Sequence, residues 1–179
     1  MIPPATESNV RISSSSLITG LWFLGFCILL IREIGSRWML SRLIANSQPL
    51  HDSELVTLIA ARQKQGFLKS PVRCIVTDAE LGPSSCGFWR PTILLPRSLW
   101  EDFDQKSRRT IVYHELEHIR RHDALLLSLS RIAIAVHWFN PLVYLITGRL
   151  RREIELAVDA ATVAAFDEQT RHHYGELLI

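Results

Sequence analysis

His114-Glu115-Leu116-Glu117-His118 carries the residue types and the spacing for metal-assisted hydrolysis. On a helix, positions i and i+4 share one face, so both imidazoles reach the same ion. Glu115, next to the first histidine, stands close enough to serve as general base toward a water that the ion activates. This is the ligand pair and base used by zinc peptidases, in which zinc brings the pKa of bound water towards about 7 and polarises the carbonyl under attack. A third protein ligand is still needed. Glu155-Leu156-Ala157-Val158-Asp159 supplies two acids at i and i+4 on a later predicted helix. Glu155 is placed to complete a three-ligand site with an open fourth position, and Asp159 to orient a ligand histidine through its other ring nitrogen. Such an acid pair alone usually means surface charge; it gains meaning from following the histidine motif on an adjacent helix.

The elements that must position these residues can be read along the chain. The 179 residues suffice for one domain with a core, and a formal net charge of +2 gives no field that argues for nucleic acid. Cys27, Cys74 and Cys86 show no disulfide or metal spacing, which suits a reducing compartment. Residues 1–16 are polar and serine-rich and read as disordered. Residues 17–31 (LITGLWFLGFCILLI) are uncharged and, extended from Ser13, approach the roughly 20 residues of a membrane span. Arg32, Arg37 and Arg42 follow the run and only Arg11 precedes it, so the positive-inside rule puts the rest of the chain in the cytosol. Residues 32–48 read as a separate basic juxtamembrane helix that Pro49 closes.

The domain proper spans residues 50–179. Asp52 predicts an N-cap for a helix to about Gln65, ended by Gly66. Val72–Thr77 and Thr92–Leu95 read as strands separated by the turn residues Gly82-Pro83-Ser84-Ser85 and Gly87. Pro91 and Pro96 bracket the second run, which suggests an edge strand; Thr92, Ile93, Leu94 and Leu95 would then offer an edge to an extended peptide substrate. A plain hairpin over the core is the competing reading. Asp102 or Asp104 caps the motif helix, which ends near Arg121 to Asp123. His122 and Asp123 read as polar residues at its end, His137 as an interface or core histidine, His172-His173 as solvated, and Cys86 as a packed small residue.

Residues 124–146 are apolar enough to raise a second membrane span. One full crossing would put Glu155 on the opposite side of the bilayer from His114 and His118. A core helix, a re-entrant hairpin or a membrane-associated element satisfies a shared ion, and the buried or membrane-leaning helix is preferred. Asn140-Pro141 marks the start of the last helix, which runs to about Phe166.

Four motifs in order, Thr92–Pro96, His114–Asp123, His137–Val143 and Arg151–Asp159, resemble the BlaR/MecR-type membrane zinc peptidases over roughly residues 50 to 179. The resemblance implies zinc ligation by His114, His118 and Glu155, and Glu115 as base. Together with the apolar run 17–31, the expected fold is α+β, mainly helical: one N-terminal transmembrane helix, where family members usually have several spans, then a gluzincin-like zinc peptidase domain with a small β-hairpin or sheet. In the antibiotic-sensing members, a signal activates a cytosolic zinc domain that cleaves itself or a transcriptional repressor. Glu117 and Val158 depart from residues common in the family, and neither touches the proposed chemistry. The run Leu177-Leu178-Ile179 reads as a continuing helix, so a fragmentary or truncated member without the sensor domain is expected.

The reading that follows is a zinc endopeptidase of the cytoplasmic membrane, single- or multi-pass, acting in regulated proteolysis with its domain facing the cytosol. Its partners would be a protein or peptide substrate and the lipid bilayer, with no direct nucleic-acid contact. A quality-control or prenyl-protein type peptidase is a second reading, and a non-catalytic scaffold retaining the metal a third. Glu115 counts against the third, because a structural site has no need of a base.

Overall fold

The computed structural model describes residues 13–50, 52–68 and 70–166. The predicted disordered N-terminus up to residue 12, the His172-His173 pair and the final apolar run lie outside them. Helix α1, Ser14–Asn46, is unbroken: it takes in Ser14 to Ser16 of the stretch expected to be disordered, and the predicted span and juxtamembrane helix are one continuous element. It is long and apolar enough to cross a membrane and has no buried residue. The basic residues did not end it because Arg37 is held by Glu33 one turn earlier (2.9 Å) and Arg42 stacks over Trp38, both compatible with helix.

A four-stranded sheet and two helices form the core. Strands β1 (Gln48–Pro49), β2 (Arg73–Thr77), β3 (Ser84–Cys86) and β4 (Thr92–Pro96) lie in the order β1-β2-β4-β3. The β2–β4 pair is parallel, and the β3–β4 pair is an antiparallel hairpin. Helix α2, Ser53–Lys64, starts at the predicted cap, where the Asp52 carboxylate accepts from the backbone N–H of Glu54 and Leu55. Gly66 follows it with φ of 72°, a left-handed turn position suited to glycine. Leu55 and Ile59 of α2 pack with Leu68, Ile93, Leu95, Val112 and Leu116.

This order corrects the expected edge strand. Thr92, Ile93 and Leu94 are paired on both sides, Leu95 is paired with Val76 of β2, and all four are fully buried, so β4 is an inner strand and not an edge. The prolines misled because Pro91 lies before the strand and Pro96 is its last residue, where a missing N–H interrupts no inner ladder bond. The outer strand on this side is β3.

After the short helix α3, Arg97–Asp102, the motif helix α4 covers Gln105–Arg121. Asp104 is the N-cap and accepts from Ser107 N–H. Helices α5 (Asp123–Val136) and α6 (Pro141–Ala165) follow. Asn140 caps α6 through Leu142 N–H, with Pro141 at the first helical turn. Of the buried or membrane-leaning helix preferred for 124–146, the buried form is not what forms, and a single helix is not either. α5 and α6 make a helical hairpin beside α1, and Leu125, Leu126, Leu129 and Ile132 of α5 are exposed. The Asn140-Pro141 cap restarts the helix and turns the chain back.

The hairpin docks on α1 at Gly25. A Cβ there would lie 2.3 Å from Cε2 of Trp138, whose indole N–H is tied to the Trp22 carbonyl. We expect Gly25→Val to destabilise this packing by about 1–3 kcal/mol, the usual cost of forcing volume into a filled contact. The readout is a lower midpoint of thermal unfolding in detergent. Gly20→Val is the matched control, since nothing lies within 4 Å of a Cβ at that position; equal shifts for both would remove the contact from the docking.

Candidate active site

Three elements meet at the site. α4 presents His114 and His118 one turn apart, their rings 4.9 Å between centroids and nearly perpendicular. α6, packed against α4, brings Glu155 to them. Its Oε2 lies 3.8 Å from His114 Nε2 and 3.6 Å from His118 Nε2. One ligand atom from each of the three residues can be chosen with all separations within 4.8 Å. The two histidine side chains are mostly buried while Glu155 is 58% exposed, so the donor set opens towards solvent on the glutamate side.

The opposite ring nitrogens are held from behind. Asp159, one turn after Glu155, has Oδ1 3.3 Å from His114 Nδ1. Asp123 Oδ2 stands 2.9 Å from His118 Nδ1. With both Nδ1 atoms facing carboxylates, both Nε2 lone pairs are directed at Glu155. This is the arrangement that fixes the tautomer and strengthens imidazole as a metal ligand. A site made of two imidazoles, one carboxylate and an open side fits zinc by the chemistry of its donors. Burial holds His114 below the ordinary histidine range, with the neighbouring His118 adding to the effect and Asp159 and Glu155 opposing it. The neutral imidazole is the form that binds metal.

Asp123 was not recognised as part of the site in the sequence, where it read as a helix-end polar residue. It lies five positions after His118, a spacing that an uninterrupted helix does not bring onto the same face. His122 between them adopts φ 60°, ψ 33°, ending α4 and starting α5 in one residue. That left-handed turn swings Asp123 back under His118 and buries its side chain to 5% exposure. The sequence carries no direct signal for this turn, because it rests on the left-handed backbone of His122. Arg121 Nε, 3.6 Å from the same carboxylate, balances its charge.

Glu115 is buried beside the pair, and burial raises its carboxyl above the usual range; His118 and a hydrogen bond from Ser85 of β3 pull the other way, and Glu155 adds to the rise. Glu117 points away and is bonded by Arg120 (2.7 Å), in keeping with its expected distance from the chemistry. Thr92 to Leu95 lie in the core, as described above. His137 caps the end of α5.

Cys86, on β3, has its thiol pushed up to about 11 by burial, so it is protonated at neutral pH. We expect iodoacetamide at pH 7.5 to modify Cys86 on the order of a hundredfold more slowly than a free cysteine, as judged by peptide mass mapping. A rate like that of free cysteine would reopen a role for this thiol.

A family model described as BlaR1 peptidase M56 matches residues 4–179. The chain belongs to this family. Among its relatives, the regulatory protein BlaR1 of Bacillus licheniformis is 26% identical over 177 residues, covering 96% of this chain and 29% of that protein. The methicillin resistance mecR1 protein of Staphylococcus aureus strain Mu50 is 24% identical over 122 residues, 68% of this chain and 21% of the relative. BlaR1 of Staphylococcus aureus is 22% identical over 169 residues, 93% of this chain and 28% of its own length. The chain thus spans less than a third of each of these relatives. The chain is thus a member of a peptidase family, its relatives are named as regulatory proteins, and its α1 is long and apolar enough to cross a membrane.

Proposed function

We propose that the chain is a membrane-anchored zinc endopeptidase that acts in regulated proteolysis. The observation that carries this reading is the convergence of both histidine Nε2 atoms on Glu155 Oε2, with Asp159 and Asp123 behind the rings and Glu115 alongside. His114, His118 and Glu155 would hold the ion. Bound zinc would supply Lewis acidity, lowering the pKa of a water and polarising the scissile carbonyl.

The remaining work falls to the protein's own groups. Glu115 takes a proton from the attacking water as the water oxygen bonds to the carbonyl carbon. It then delivers that proton to the amide nitrogen, and the C–N bond breaks to leave an acid and an amine. Its buried setting raises the carboxyl above the usual carboxylate range, which makes it the stronger base. Asp123 and Asp159 keep the two imidazoles oriented throughout. The substrate strand has a candidate place. β3 is the outer strand, and its Ser85 hydrogen-bonds Glu115, so an extended peptide added to β3 would run past the base.

The substrate is proposed to be a protein segment, either a transcriptional repressor or the chain itself. The domain is proposed to face the cytosol, a reading supported by Arg32, Arg37 and Arg42 after the apolar run of α1. The test is the zinc content of the detergent-purified chain beside its Glu155→Ala variant. We expect about one zinc ion per wild-type chain and weakened or lost binding in the variant. Metal held equally by both would take Glu155 out of the ligand set.

A further inference from the structure

The hairpin of α5 and the first half of α6 has an apolar exterior that the site does not use. Phe139, Leu142, Leu145 and Ile146 at its tip and along α6 are exposed, as are Leu129 and Ile132 on α5. We propose that this hairpin is a re-entrant membrane element. It enters the leaflet nearest the active site, reaches the middle of the bilayer and returns, with lipid acyl chains as the occupants of its outer face.

Its depth is set by its contacts with α1. The tip meets α1 at Trp22 and Gly25, the centre of the apolar run 17–31. If that run crosses the bilayer, the tip lies near the midplane. From Pro141 to the exposed Arg149, eight residues of helix rise about 12 Å. One leaflet's hydrocarbon is about 15 Å deep. Arg149, Arg151 and Arg152 therefore fall at the headgroups, where acidic phosphates meet their charge. α5, with 14 residues, is too short to cross alone.

Several backbone groups of the turn are satisfied within the protein, which lowers the cost of a place without water, where each unsatisfied group costs several kcal/mol. The Val136 carbonyl, left over at the end of α5, accepts from Trp22 Nε1 at 3.0 Å. The His137 carbonyl accepts from Asn140 N–H at 2.8 Å. The Trp138 carbonyl accepts from the Tyr144 hydroxyl at 2.9 Å, and Leu142 N–H donates to Asn140 Oδ1. Pro141 has no N–H to satisfy. Arg131, the charged residue within α5 closest to the tip, is paired with Glu33 of α1 at 3.2 Å, and Glu33 also holds Arg37. The inference goes beyond the peptidase reading and does not depend on the metal. It also explains how Glu155 returns to the side of the membrane occupied by His114.

The test places a photoreactive benzophenone amino acid singly at Leu145, Ile132, Phe23 and Arg152 of the full chain. The chain is held in nanodiscs of phosphatidylethanolamine and phosphatidylglycerol, and adducts are identified by mass spectrometry. We expect lipid adducts at Leu145 and Ile132 comparable to those at Phe23 on α1, and on the order of tenfold above those at Arg152. Adducts to protein at Leu145 and Ile132, from a second copy or another segment of the chain, would overturn the proposal. So would lipid adducts at Phe23 with none at the two hairpin sites. Loss of lipid adducts at Phe23 as well would remove the membrane ruler and the proposal with it. Zinc content, measured on the same samples, separates any of these outcomes from failure of the peptidase reading.

Discussion

Glu115→Gln is expected to reduce peptide-bond cleavage by a factor on the order of 10² to 10⁴ while leaving about one zinc ion bound per chain. The substitution keeps the size and shape of the side chain, and Gln can still accept from the Ser85 hydroxyl that bonds Glu115. It removes the one property the mechanism requires, a basic oxygen that takes a proton and gives it back. His114, His118 and Glu155 are untouched, so metal binding separates the base role from collapse of the site. The measurement is cleavage of a membrane-reconstituted substrate together with metal content, beside Glu155→Ala as a blank for contaminating proteases. Wild-type activity in Glu115→Gln would take Glu115 out of the reaction.

Much of this site is legible in the sequence because its geometry is local. His114 and His118 need only one helical turn to share a face, and Glu155 and Asp159 need another. Asp52 and Asn140 announce their helices through bonds to residues two or three positions away. What could not be read depends on contacts far apart in sequence. The parallel pairing of β2 with β4 joins Arg73 to Thr92, and it turns an apparent edge strand into an inner one, leaving β3 beside the base. The five buried residues of β4, apolar without alternation, carried that information, since such runs belong to strands covered on both sides. The path of residues 124–146 likewise needed α1. The docking of Trp138 on Gly25, with the Trp22–Val136 and Arg131–Glu33 contacts, is what separates a returning hairpin from a single buried or membrane-leaning helix.

The clearest gap was Asp123, and it yields the second large expectation. Asp123→Asn and Asp159→Asn are each expected to weaken zinc binding by about ten- to a hundredfold. An amide facing Nδ1 can still hydrogen-bond the ring, but it loses the negative charge that makes imidazole a stronger donor. The two acids act on different rings: Asp123 reaches His118 at 2.9 Å and Asp159 reaches His114 at 3.3 Å. Their effects should therefore combine nearly as a sum of free energies, giving a double variant weaker by about 10² to 10⁴. Competition against a chelator of known affinity, at fixed pH, measures all four proteins. The shorter and more buried contact sets the expected order, with Asp123→Asn the more damaging single change. Unchanged affinity in Asp123→Asn would reduce that residue to a cap where α4 gives way to α5. A double variant no weaker than the worse single one would mean that the two histidines are not positioned independently.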